Sequence, residues 1–471
     1  MKRTNRKLMK SKSISSFNKY PLKYIVGILL LYAVGIFLLL ITDVLPSKLV
    51  QLMAVTPLLV LMILREFETK LLAVFFVLLG IHFFWDDNFI LTHFVFFLPF
   101  FLFFWLYRHP LIKFERNGLT LPFLILGTSF IISMLFSKHF QSSVHMLINY
   151  SQAIFFGFYL INYISTSDDF RRIVKLISLS LIIPLLVGVY QIFYMFSPAL
   201  NHVQGTFMSR NSFAPFLAFH FFLFIGFFIC SKKTIQKLLC IVIISIVLWV
   251  FLNTFSRGAY IGLFIAILFY IFLMLPKRYK LLFPVILLVF VLLIGGFAYS
   301  IGDAKYMARF DLETLDMGTL VRIGLWETAI NMFGEKPLIG FGPNTFQDEY
   351  LNYFPIIIGA STLVLEINHT QAHNIILNTM AEQGLIGLTA LLFSILLFFR
   401  YLFKMYKKPV CRHDKMIMSL FLCFFVYFIV HNMVDIPMTA YHQINSQFVL
   451  ASYFALIVSY DKLRYQLYEK N

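Results

Sequence analysis

Fourteen apolar runs separated by short polar turns leave this chain few ways to fold. They cover residues 24–42, 49–64, 70–85, 89–107, 120–136, 143–164, 173–197, 211–230, 236–254, 258–275, 281–301, 373–400, 416–434 and 445–460. A helix rising 1.5 Å per residue needs about 20 apolar residues to cross a hydrocarbon core of about 30 Å. The runs 49–64 and 70–85 are short and also read as a re-entrant pair; removing both leaves twelve spans and the same sidedness. With 60% of its 471 residues hydrophobic and a mean hydropathy of +0.82, the chain is no soluble domain. The expectation is an all-α, polytopic helical membrane protein with about 12–14 transmembrane helices. Its 58 phenylalanines read as lipid-facing bulk.

Charge orients the bundle. Lys and Arg gather on cytoplasmic loops close to the spans. With the N-terminus inside, all but eight of the 39 Lys and Arg fall on the cytoplasmic side; the eight outside are Lys48, Lys138, Arg210, Arg257, Lys305, Arg309, Arg322 and Lys336. The net charge of +17 therefore reads as a topology signal and as attraction to anionic headgroups. It gives no reason to expect nucleic acid as a partner. The basic tail 1–23 lacks a small-residue cleavage site after its first apolar run, so the first span is expected to be retained. Cys230, Cys240, Cys411 and Cys423 fall on or near the cytoplasmic side, and no pair has metal-ligand spacing.

Four regions follow: a basic cytoplasmic tail 1–23, a transmembrane block 24–301, a long extracytoplasmic loop 302–372, and a second transmembrane block with a short cytoplasmic tail 373–471. The cytoplasmic connections are short and basic and leave no room for a catalytic domain. Within the long loop, Val321, Leu325, Ala329 and Met332 or Phe333 recur at helical spacing, which predicts an amphipathic helix over 320–333 lying on the outer membrane surface. Pro337 should end it, and Gly340 and Gly342 permit a tight turn. Asn344-Thr345-Phe346-Gln347 reads as an N-cap with its capping-box partner, opening a second short helix. The two glycines have a plain reading as turn residues. Their functional reading is as backbone N–H groups offered to an anion at a helix start.

The outer face carries the chemistry. Nine of the 12 histidines lie at or near it: His82, His93, His139, His145, His202, His369, His373, His431 and His442. Arg210, Arg257 and Arg322 sit in small motifs at the mouths of spans, against the charge bias. One such Arg alone is a headgroup anchor. Several together offer guanidinium forks to a diphosphate and to the charge that develops as it leaves. His373 opens the span after the loop, where a neutral imidazole would take a proton from an attacking hydroxyl; the plain alternative is a capping or headgroup histidine. Glu382, deeper on the same helix, is either functional or a structural partner. Gly384 and Gly387 would let a neighbouring helix approach closely.

Four motifs in order then resemble a known family. They are Phe207-Met208-Ser209-Arg210-Asn211, Ser256-Arg257-Gly258-Ala259, Arg322…Trp326…Pro337-Leu338-Ile339-Gly340-Phe341-Gly342, and His373-Asn374…Glu382-Gln383-Gly384-Leu385-Ile386-Gly387. This set resembles the bacterial O-antigen ligase and O-antigen polymerase family, chiefly over 205–390. The resemblance implies a GT-C-like glycosyltransferase that needs neither metal nor cofactor. It would take a glycan from an undecaprenyl diphosphate donor at the outer leaflet and pass it, with inversion, to an acceptor hydroxyl. It implies that Arg257 and Arg322 bind the diphosphate and that His373 activates the hydroxyl or orients the reactants. Arg210 and Asn211 would line the donor site, and Asn374, Glu382, Gly340 and Gly342 complete the substrate-binding set.

The leading expectation is a polymerase of undecaprenyl-diphosphate-linked repeat units for a capsule, exopolysaccharide or teichuronic-acid-like polymer. It would act in a bacterial plasma membrane, both termini cytoplasmic, alongside other polysaccharide assembly proteins. The alternatives are a ligase that moves a finished glycan to a lipid, wall or protein acceptor, and a flippase or exporter of lipid-linked sugars. The last predicts several ionisable groups at mid-membrane, where His220 and Glu382 are nearly the whole supply.

Overall fold

In a computed structural model, the described residues are 116–194, 202–207, 209–280, 283–284, 317–355, 371–436 and 444–469. The expected spans 24–42, 49–64, 70–85, 89–107 and nearly all of 281–301 lie outside them, as do Met208, Lys305, Arg309, His369 and His442. The described residues form twelve α-helices and one 3₁₀ turn, with no strand among them. In chain order these are α1 Thr120–Leu135, α2 Phe140–Tyr163, α3 Ser167–Leu179, α4 Ile182–Tyr194, α5 Arg210–Cys230 and α6 Thr234–Leu252. They continue as α7 Arg257–Met274, α8 Met317–Glu335, α9 Phe346–Tyr353, α10 Ile375–Lys407, α11 Arg412–Asn432 and α12 Ile444–Glu469.

Among the described residues, seven helical segments are long and apolar enough to cross a membrane, with α3 and α4 counted together as Ser167–Phe193. The chain is a multi-pass helical membrane protein. Three spans differ from expectation, and one of them, 445–460, runs on to Glu469 as α12. The run 173–197 starts earlier, because Thr166 and Asp169 form a full capping box ahead of α3; it then breaks at Ser180 and Leu181. The run 373–400 extends to Lys407 and is interrupted inside, at Gly384 (φ 61°, ψ −156°).

Packing shows why small residues stand where they do. Gly258 and Gly262 lie one turn apart on α7. A Cβ at Gly258 would come 3.1 Å from Val434 and 3.6 Å from His431, and one at Gly262 would come 3.1 Å from the Tyr427 ring. The two glycines thus let α7 lie directly on α11 and bring the start of one helix beside the end of the other. Elsewhere α1 packs on α10 and α2 on α12, where Phe156 and Phe448 meet edge to face at 5.2 Å. His220 is fully buried in α5, with its ring nitrogens on the Phe216 carbonyl (2.8 Å) and the Ser180 hydroxyl (3.1 Å). It is a satisfied core histidine.

The loop helix forms as its periodicity predicts. Val321, Leu325, Ala329 and Met332 are buried together with Phe341, Phe346, Tyr350, Ala372 and Ala381. The helix stops at Glu335, two residues before Pro337. The following segment runs beside the break in α10, and the two exchange backbone hydrogen bonds. Phe341 and Gly342 donate to the carbonyls of Ala381 and Glu382 (3.2 and 2.8 Å), while Leu385 and Ile386 donate to those of Pro337 and Leu338 (2.7 and 3.1 Å). The neighbour that Gly384 admits is this loop backbone, and not a helix: a Cβ there would lie 2.5 Å from the Leu338 carbonyl carbon.

The capping expectation at Asn344 needs correction. The residue before α9 is Thr345, whose hydroxyl bonds back to the Gly342 carbonyl, and it makes no side-chain cap. The cap comes from another element. Glu382 Oε1 accepts the Phe346 N–H at 3.1 Å, and the N–H groups of Asn344 and Thr345 also bond to this carboxyl. The group that accepts at this helix start is the protein's own carboxyl.

Candidate active site

Five separate elements deliver polar side chains to one end of the bundle. Arg210 and Asn211 open α5, with Ser209 capping that helix through the Ser212 N–H. Ser256 and Arg257 open α7. Arg322 projects from α8, His373 stands two residues before α10, and His431 and Asp435 stand at the end of α11 and just beyond it. All but Arg322, which lies in the second turn of α8, are at helix ends, where backbone groups lack helical partners and polar side chains are at home.

Asp435 ties the set together. It is 4% exposed. Its Oδ1 accepts from His373 Nδ1 at 2.9 Å and from the Ile436 N–H at 2.9 Å. Its Oδ2 accepts from Asn211 Nδ2 and faces Arg322 Nη2 at 3.7 Å. Asn211 Oδ1 in turn accepts from the Ser256 hydroxyl at 2.9 Å. Burial pushes the Asp435 carboxyl up. The hydrogen bond from His373 and the positive Arg322 guanidinium nearby oppose that, and the carboxyl lies below the usual carboxylate range. A carboxylate facing Nδ1 fixes the proton there and leaves His373 Nε2 as an acceptor. His373 and Arg322 are each about a quarter exposed; Arg322 lines the cleft, and His373 stands beside it through its bond to Asp435.

The backbone is bent to serve this arrangement. Phe255 and His373 adopt the left-handed conformation, with φ of 50° and 52°. That region costs a residue with a side chain about 1–3 kcal/mol and survives where surrounding contacts impose it. Both residues stand two positions ahead of a helix at the cleft, each just before the N-cap residue. Asn374 anchors the second bend. Its Oδ1 caps α10 through the N–H groups of Ile376 and Leu377, and its Nδ2 donates to the Met433 carbonyl at 2.9 Å.

Arg210, Asn211, Phe255, Ser256, Arg257, Gly258, Arg322, His431, Val434 and Asp435 line a narrow cleft of about 20 Å³. That is room for one water-sized group. A larger cavity of about 860 Å³ lies between α1 and α10, lined mainly by apolar side chains such as Leu124, Ile132, Phe393 and Leu396. No ionisable side chain lines it.

The structure therefore brings together Arg210, Asn211, Arg257, Arg322 and His373 of the sequence-derived set. It places the other four differently. Asn374 supports His373 from behind. Glu382, Gly340 and Gly342 belong to the loop–helix junction, where the N–H groups of Gly340 and Gly342 bond to the carbonyls of Lys336 and Glu382 (3.0 and 2.8 Å). Those amides are already used within the protein. Asp435 was not singled out from sequence. Its one signal was an acid four residues after His431 in a short outer segment of a strongly basic chain.

Comparison with known proteins gives a likeness over one part of the chain. No curated protein matches the chain. Residues 239–392 match the family model described as O-antigen ligase, a stretch that includes Arg257, Arg322 and His373 but not Arg210, Asn211, His431 or Asp435. That match covers about a third of the chain, and over this segment the protein is similar to the O-antigen ligase family, a likeness that supports a glycosyl-transferring enzyme.

Proposed function

We propose that this protein polymerises undecaprenyl-diphosphate-linked oligosaccharide repeat units at the outer leaflet of a bacterial plasma membrane. The product would be a capsule, exopolysaccharide or teichuronic-acid-like polymer. The carrying observation is the convergence of Arg210, Arg257 and Arg322 on a cleft beside a His373–Asp435 pair. Three arginines suit a diphosphate, whose charge grows as the glycosyl bond breaks. His373, oriented by Asp435 through Nδ1, presents Nε2 to an acceptor hydroxyl.

In this reading the hydroxyl oxygen attacks the anomeric carbon and its proton passes to Nε2. The bond from that carbon to the diphosphate oxygen breaks, and the lipid diphosphate leaves with its new charge held by the guanidinium groups. Attack opposite the leaving group inverts the anomeric centre. No metal is invoked, because the arginines meet the leaving charge. The cleft is narrow, so the long arginine side chains must swing outward to admit more than one phosphoryl oxygen. The sidedness follows from the Lys and Arg distribution, with both termini cytoplasmic and the cleft outside.

The ligase reading keeps the same site, and the description of the matching family favours it. Purified protein reconstituted with a lipid-linked repeat unit separates the two. A polymerase gives a ladder on a gel without added acceptor; a ligase transfers only when an acceptor is supplied. Arg257→Ala, Arg322→Ala and His373→Ala are each expected to lower turnover by about 10²-fold or more. Full activity in all three would remove the site assignment.

A further inference from the structure

His431 is a polar group with nothing to bond to. It is 0% exposed, and neither ring nitrogen has a hydrogen-bond partner among the described residues. An imidazole carries at least one N–H donor in either charge state, and native proteins rarely bury such a donor unpaired. The ring is held in place. It stacks on Tyr427 with centroids 5.6 Å apart and planes 12° from parallel, and Gly258 of α7 packs against its edge. It lines the same cleft as Arg210, Arg257 and Arg322. The other neutral polar side chains there are already paired: Asn211 with Asp435 and Ser256, and Ser256 with Asn211.

We propose that His431 is a phosphate-binding residue, its ring N–H donating to one phosphoryl oxygen of a lipid diphosphate that enters the cleft. The proposal rests on the diphosphate reading above and names a residue that lies outside the matched family segment. The size of the cleft fits a single oxygen. Three arginines at its walls select an anionic oxygen over a hydroxyl. Asp435 does not oppose this, because His373, Asn211 and Arg322 already face its carboxylate. The donor left unpaired in the protein is then paired in the complex.

Binding of undecaprenyl diphosphate and of uncharged undecaprenol to the purified full-length chain in detergent tests this. His431→Phe keeps an aromatic ring on Tyr427 and removes the donor. It should weaken undecaprenyl diphosphate about tenfold while leaving undecaprenol unchanged. His431→Gln keeps an N–H and should stay within about threefold of the parent for both lipids. Unchanged diphosphate binding in His431→Phe, or equal loss of both lipids, would overturn the proposal and leave the arginine site standing. If His431→Phe does not fold, the same comparison on His431→Leu decides. A parent protein that binds undecaprenol as tightly as its diphosphate would instead overturn the diphosphate reading itself.

Discussion

Asp435 shows how much one residue can organise. Its carboxyl takes hydrogen bonds from His373 and Asn211 and faces Arg322, so one acid orients the base, the amide and a guanidinium. Asp435→Asn keeps the shape and removes the charge. It is expected to lower turnover by about 10²-fold, by loosening the His373 tautomer and releasing Arg322, with undecaprenyl diphosphate binding changed far less. The acid dependence of stability carries the same signature. Because the folded carboxyl lies below its ordinary value, its contribution is fully present above the unfolded value of about 3.9. It is lost as pH falls from there through the lower folded value. Thermal unfolding in detergent should therefore fall more steeply below about pH 4 in the parent than in Asp435→Asn. Equal slopes would show that Asp435 is not held charged by these partners.

Among the elements, the interrupted helix α10 and the loop segment lying against it form one unit. Gly384 adopts a conformation open essentially to glycine alone, and the place of its absent Cβ is 2.5 Å from the loop backbone. Gly384→Ala should therefore lower stability by about 3 kcal/mol or more, read as a drop in the thermal midpoint. A midpoint within a degree of the parent would mean the pairing between loop and helix contributes little. Glu382 holds the same junction by capping α9. Glu382→Gln keeps an acceptor oxygen and should be tolerated. Glu382→Ala leaves buried N–H groups unpaired, which costs about 1–3 kcal/mol. Equal midpoints for the two variants would remove the capping account. Periodicity found α8 and its buried face, because that stripe depends on local spacing alone. It could not find the cap of α9, because the capping group lies 36 residues further along the chain.

For the whole molecule, the sidedness proposal has a direct test. In a background with the four native cysteines replaced, Glu335→Cys at the exposed end of α8 should react with an impermeant thiol reagent added to intact cells. Labelling only after lysis would invert the topology and move the cleft away from lipid-linked glycans on the outer leaflet.

What the amino-acid sequence determined by itself is whatever a local pattern encodes: membrane helices from apolar run length, the buried stripe of α8 from its spacing, and the residues of four motifs in order. Those motifs already contained Arg210, Asn211, Arg257, Arg322 and His373. Only the tertiary structure decided that they meet, that Asp435 and His431 join them, and that Gly340, Gly342 and Glu382 do not. Contacts between elements more than 200 residues apart, such as Asn211 with Asp435, leave no periodic trace in one chain. They are set by the close packing of α7 on α11 through Gly258 and Gly262, which brings helix ends distant in sequence to one cleft.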